Sequence, residues 1–228
     1  MGGEWAAHPS CGRQLTPISD HRRMLTTLRF LTAISTLITG TAVPHQEAGS
    51  SSSSIVTFGM SAVERDAVAR TAGLFAEAGL ELPPVIIRRH PNRAACGGHD
   101  GQHRAVGTHS EIDICTIDSL AWEERVILHE LSHAWAAHFL TPTRKDAFRT
   151  LRRFQYWQDY EHADWRSNGT EQAAEIMVWA LSDHPVHVAQ IDHASCTELR
   201  TAYTALTGLV PLHGYTARCN ESSPDRRS

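Results

Sequence analysis

The sequence predicts an α+β domain, mostly helical, with a small sheet. Three observations predict it. Five segments show helical spacing between residues that start and stop helices. Two short segments are rich in β-branched residues or alternate apolar with polar ones, as strands do. The composition, 41% hydrophobic and 20% charged over 228 residues, is that of a globular chain long enough for one domain with a core. A net charge of -4 leaves no polybasic footprint, so neither nucleic acid nor an anionic lipid surface is an expected partner. Histidine is over-used, at 15 residues, which hints at metal chemistry.

In chain order, residues 1–42 read as an export signal. His21, Arg22 and Arg23 precede an uncharged run, FLTAISTLITGTAV, that fits a signal-peptide core and is too short to span a membrane comfortably. Gly40-Thr41-Ala42 offers small residues for cleavage after Ala42, and Met24 is an alternative start with the compact leader MLTTLR. The expected product is a secreted chain with no stable membrane span after processing. Residues 43–60, with the run GSSSSS, read as a flexible linker before a domain at 61–220 and a polar tail at 221–228. Cysteine usage agrees with export. Cys11 falls in the signal region, and Cys96, Cys115, Cys196 and Cys219 remain as an even set. Cys96–Cys115 and Cys196–Cys219 are the simplest pairings, although all three connectivities stay open.

The first helix is expected over SAVERDAVARTAGLFAEAG, capped by Ser61 with Glu64 completing a capping box and ended by Gly79. Its apolar positions are Val63, Ala67, Val68, Leu74 and Phe75. PPVIIRR, 83–89, reads as a strand, CGGHDGQHRAVGTHS as a glycine- and histidine-rich loop, and EIDIC, 111–115, as a second, half-buried strand. Asp118 or Ser119 caps a helix that runs to about Leu140, ahead of Pro142. A helix from Arg144 to about Tyr156 carries Arg144, Lys145, Arg149, Arg152 and Arg153 as a solvated face. After an aromatic-rich connection, a helix starts near Thr170 and stops near Asp183, ahead of Pro185. CTELRTAYTALTG, 196–208, is the last helix.

The chemistry concentrates in VILHELSHAW. On a helix His129 and His133 are four apart and share a face, so two imidazoles can bind one zinc ion. Glu130, in an otherwise uncharged run, is then placed to take a proton from a zinc-activated water. A buried carboxylate without a partner would cost several kcal/mol or be forced neutral, so a cation and its water give this one a reason to be there. A catalytic zinc site usually has three protein ligands and an open position. The extended motif HExxHxxGxxH would need glycine at 136 and histidine at 139, where Ala136 and Phe139 stand. The best source of a third ligand is NGTEQAAEIMVWAL, in which Glu171 and Glu175 lie on one face near a helix start.

With HExxH followed by Glu-x-x-x-Glu on a later helix, the segment from Val126 to Leu181 resembles gluzincin-type zinc metallopeptidases. The resemblance implies a zincin-like fold, with the HExxH helix beside a small sheet and a second ligand-bearing helix. It further implies His129, His133 and Glu171 as ligands of one zinc ion per chain, Glu130 as general base, and Glu175 as the group orienting a ligand histidine. Exchange of the two acids, with Glu175 on the metal, is the alternative. The implied reaction is hydrolysis of a bond in a peptide or protein substrate.

Two rivals differ in class. One is another zinc amidohydrolase of the peptide deformylase kind, with Cys115 or Cys96 as third ligand. The other is a secreted, disulfide-stapled binding domain without catalysis. Tyr156, Tyr160, His162, Arg166, His184 and His187 are candidates by sequence position for a donor to a developing oxyanion, and nothing in the sequence singles one out. His99 and His103 are a weak second metal pair, and Trp157, Trp165 and Trp179 read as packing residues.

Overall fold

The described residues form a four-stranded sheet whose two central strands turn β-branched residues inward. The strands are β1 (Ile55–Phe58), β2 (Val85–Arg89), β3 (Gly101–Val106) and β4 (His109–Ile114). The computed structural model describes residues 54–115, 119–154, 156–158, 168–182, 191 and 195–214. All of them lie in the second of two compact units, 50–228. The expected signal at 1–42, Cys11, Cys219, Asp118, Pro185, Trp165 and the tail at 221–228 fall outside the described residues.

The sheet order is β1-β2-β4-β3, with β1, β2 and β4 parallel and β3 antiparallel at one edge. Among the described residues, five α-helices complete the α+β domain: α1 (Ala62–Glu77), α2 (Leu120–Phe139), α3 (Pro142–Arg152), α4 (Gly169–Leu181) and α5 (Cys196–Thr207). Val85, Ile87, Ile112 and Ile114 face the core, where Ala67, Val68 and Phe75 of α1 and Ile127, Leu131 and Ala134 of α2 meet them. On its other side α2 packs against α4. That placement buries every residue from Val126 to Ser132, so the helix is apolar nearly all round.

Local signals place the helix starts. Ser61 and Glu64 form a reciprocal capping box, Ser119 accepts from the Trp122 amide, and Ser195 and Glu198 form a second box ahead of α5. Asn168 caps α4 through the Thr170 amide.

Four expectations need correction. The linker at 43–60 contains β1, because Ile55 and Thr57 turn inward and the strand finds a parallel partner in β2. The segment read as a loop at 96–110 contains β3 and the start of β4. They are joined by a two-residue turn with Gly107 at φ 58°, and a polar edge strand carries no apolar alternation to betray it. The helix expected to reach Tyr156 ends at Arg152, where Arg153 adopts a left-handed cap at φ 61°. Val63 is exposed rather than core-facing.

Candidate metal centre

α2 and α4 cross so that the face of α2 bearing Arg125, His129 and His133 meets the acidic face at the start of α4. Three donor atoms converge there. His129 Nε2 lies 3.0 Å from Glu171 Oε2, His133 Nε2 lies 3.3 Å from the same oxygen, and the two imidazole nitrogens are 3.1 Å apart. Ligands of a tetrahedral zinc ion, each about 2.0–2.1 Å from the metal, stand about 3.3 Å from one another. The triangle therefore has the size that such an ion requires. Its chemistry points the same way. Two imidazole nitrogens facing each other beside a carboxylate are lone-pair donors in search of a cation. Among the described residues, His129, His133 and Glu171 form the one group of three or more such side chains that could hold a metal ion.

Glu175, one turn beyond Glu171, stands behind the triangle. Its Oε1 lies 2.9 Å from His129 Nδ1 and its Oε2 lies 2.5 Å from an Arg125 guanidinium nitrogen. The two acids thus sit on opposite edges of the His129 ring, Glu171 at Nε2 with the converging donors and Glu175 at Nδ1. Free of metal, the cluster holds a proton. Burial disfavours a charged His129 ring, but hydrogen bonds to Glu171 and Glu175 outweigh it and raise its pKa to about 10. Burial also works against ionised Glu171 and Glu175. Contacts with His129 and His133 hold the first well below the usual carboxylate range, and contacts with His129 and Arg125 lower the second.

Glu130 is buried beside this group. Its pKa is raised, first by burial, while His129 and His133 pull it down and Glu171 pushes it up. Gly101, first residue of β3, closes over the carboxylate. A Cβ there would stand 2.5 Å from Glu130 Oε1 and 2.8 Å from its Cγ, so any larger residue would push the carboxylate aside.

His103, read in the sequence as half of a weak metal pair with His99, plays a different part. On strand β3 it stacks on His133, with ring centres 6.1 Å apart, and its Nε2 lies 2.9 Å from Ser110 Oγ. Burial, followed by the nearby His133 and His138, lowers its pKa to about 3, so it stands beside the centre as a neutral ring. His99 lies in the turn before β3, where strand geometry replaces the helical spacing that a four-residue pair would need.

The cysteines settle one rival's ligand. Cys96 and Cys115 form a disulfide with Cα atoms 6.1 Å apart, so neither sulfur is free to serve as a thiolate ligand. Cys196 is disulfide-bonded as well, while Cys219, its expected partner, lies outside the described residues. Of the residues weighed as oxyanion donors, Tyr156 is exposed and Tyr160, His162, Arg166, His184 and His187 fall outside the described residues. Trp179 is buried in the core, and Trp157 packs edge-on to Phe148, as packing residues should.

No family model matches the chain, and no curated protein or solved structure is significantly similar to it.

The sequence did not point to Gly101 or Arg125 as neighbours of the site, and Gly101 sits in a segment read as loop. Arg125 and His129 are four apart, and that spacing was the available signal.

Proposed function

We propose that this chain is an exported zinc-dependent metallopeptidase of the gluzincin type, with a zincin-like arrangement of sheet and helices. His129, His133 and Glu171 would hold one zinc ion per chain, with Glu130 as general base. The observation that carries the reading is the triangle of 3.0, 3.1 and 3.3 Å between one oxygen and two imidazole nitrogens, backed by Glu175 on His129 Nδ1. Two nitrogens and one oxygen in tetrahedral spacing favour zinc over harder cations, which prefer six or more oxygens. Bound there, zinc would supply Lewis acidity toward a substrate carbonyl and toward water.

The rest of the chemistry belongs to the chain. A Glu130 carboxylate oxygen accepts the proton of the attacking water as its oxygen bonds to the carbonyl carbon. The same carboxyl group then delivers that proton to the amine nitrogen as the C–N bond breaks. Burial raises the proton affinity of Glu130, which suits a group that must take a proton and return it.

Strand β3 favours a peptide over a small amide. It lies at the sheet edge against α2, Gln102, Arg104, Ala105 and Val106 are exposed, and no described strand covers its outer side. An extended peptide is the ligand whose backbone complements such an edge. The Cys96–Cys115 disulfide supports an oxidising compartment. Among the described residues no helix is long and apolar enough to cross a membrane.

Metal content per chain tests the centre. Purified protein should carry one zinc, and Glu171→Ala should lose most of it. Retention by Glu171→Ala would move the third ligand elsewhere, and absence of zinc from the native protein after supplementation would overturn the proposal. A chelator should lower the melting temperature, because zinc that binds the folded state alone stabilises it. Gly101→Ala tests the base separately. A methyl group there displaces the Glu130 carboxylate, so hydrolysis of a pooled peptide library should fall by about 10²-fold with zinc content unchanged. Full activity in that variant would contradict the assignment of Glu130.

A further inference from the structure

Beside the candidate ligand His129, α2 aims a further residue, Arg125, at α4. Arg125 and His129, one helical turn apart, hold the two oxygens of Glu175 between them. The Arg125 side chain is buried and Glu175 more so, at 10% and 1% exposure. An ion pair taken so far out of water costs desolvation and is weak evidence of a contribution to stability, so its geometry calls for another explanation. We infer that Arg125 is a positioning residue for the metal centre, fixing the Glu175 carboxylate so that His129 presents Nε2 to the metal. This rests on the metal-centre reading above and adds to it a residue outside the ligand set and the HExxH motif.

The geometry divides the work of the carboxylate. Oε2 is engaged by the guanidinium at 2.5 Å, which leaves Oε1 to accept from His129 Nδ1 at 2.9 Å. With one proton held on Nδ1 by Glu175, Nε2 is the nitrogen turned toward Glu171 and His133 and the one a metal would take, and such an outer partner orients a ligand ring and raises its basicity. Without Arg125 one buried oxygen of Glu175 loses this donor, and the carboxylate gains freedom to turn away from the ring.

Arg125 is itself held. Its guanidinium lies over the Trp122 ring, 4.9 Å from the centroid. Trp122 Nε1 in turn donates to Asp100 Oδ2 at 3.1 Å, and Asp100 pairs with Arg93 at 2.6 Å. Asp100 directly precedes Gly101, the residue that closes over Glu130. One chain of contacts therefore reaches from the start of β3, which covers the base, to the back of the first ligand.

Zinc affinity of the intact protein, measured by competition with a chromophoric chelator, tests the inference without an activity assay. Arg125→Met keeps the apolar stem and removes the donors. It should bind zinc about 10- to 100-fold more weakly, the range typical when an outer partner of a metal ligand is lost. Arg125→Lys keeps one donor without the planar fork and should fall between that variant and the native protein. A residue with a purely structural role would lower the melting temperature of the metal-free form and leave the zinc dissociation constant unmoved. Native affinity in a folded Arg125→Met protein overturns the inference. If Arg125→Met does not fold, Arg125→Lys decides alone, with weaker zinc binding supporting it and native binding overturning it. A native protein that binds no zinc overturns this inference together with the centre. Native zinc binding left intact by both variants overturns this inference alone.

Discussion

Glu130→Gln is expected to keep one zinc per chain and to lower kcat by about 10²- to 10⁴-fold, the usual contribution of a positioned general base. Glutamine has nearly the same shape as glutamate, so it fits beneath Gly101 and leaves the triangle of His129, His133 and Glu171 in place. What it lacks is a group that can take a proton from water and return it to the leaving amine. Turnover of a pooled peptide library, with metal content measured on the same samples, checks both halves. A fully active Glu130→Gln protein would sink the mechanism, and one that lost its zinc would show that the carboxylate supports the centre rather than the reaction. The contrast with Gly101→Ala is informative. That change leaves the carboxylate chemically intact and moves it, so its smaller effect separates the position of the base from its identity.

The second large effect is a dependence of zinc binding on pH. In the metal-free protein His129 is raised from 6.5 to about 10 by Glu171 and Glu175 against the opposing effect of burial. Its charged form therefore adds stability that is complete below about 6.5 and is lost as pH rises through about 10. Glu171 and Glu175 are shifted downward from 4.5, so their contribution is complete above that value and is lost as acid protonates them. Zinc needs the His129 nitrogen that the proton occupies. Apparent zinc affinity should therefore rise about tenfold per pH unit from neutrality toward pH 10, with about one proton released per zinc bound. Competition titrations at several pH values, in buffers of differing ionisation enthalpy, measure both quantities. An affinity that is flat between pH 7 and pH 9 would mean that His129 holds no such proton.

The sequence by itself determined the motif and most of the helices. Their signals are local: Ser61, Ser119 and Ser195 cap through bonds spanning three residues, and the four-residue spacing of His129 and His133 fixes a shared face whatever surrounds it. Glu171 and Glu175 were legible as a pair for the same reason. Their division of labour was implied by resemblance alone, with the exchanged roles open, because two acids one turn apart look alike until the crossing of α2 and α4 sets one at Nε2 and the other at Nδ1 of the same ring. The sheet was half legible. β2 announces itself by its β-branched run and β4 by alternation, whereas β1 is four residues beside a serine run and β3 is a polar edge, so both depend on pairing across the chain. Tertiary structure alone decided that Gly101 meets Glu130 and that Arg125 reaches Glu175 across 50 residues of sequence, and among the open connectivities it selected the simple Cys96–Cys115 pairing. The physical reason is range. Caps and helical faces are settled by interactions within one turn, while a metal centre and its supports form where separate elements pack, at distances that no periodicity encodes.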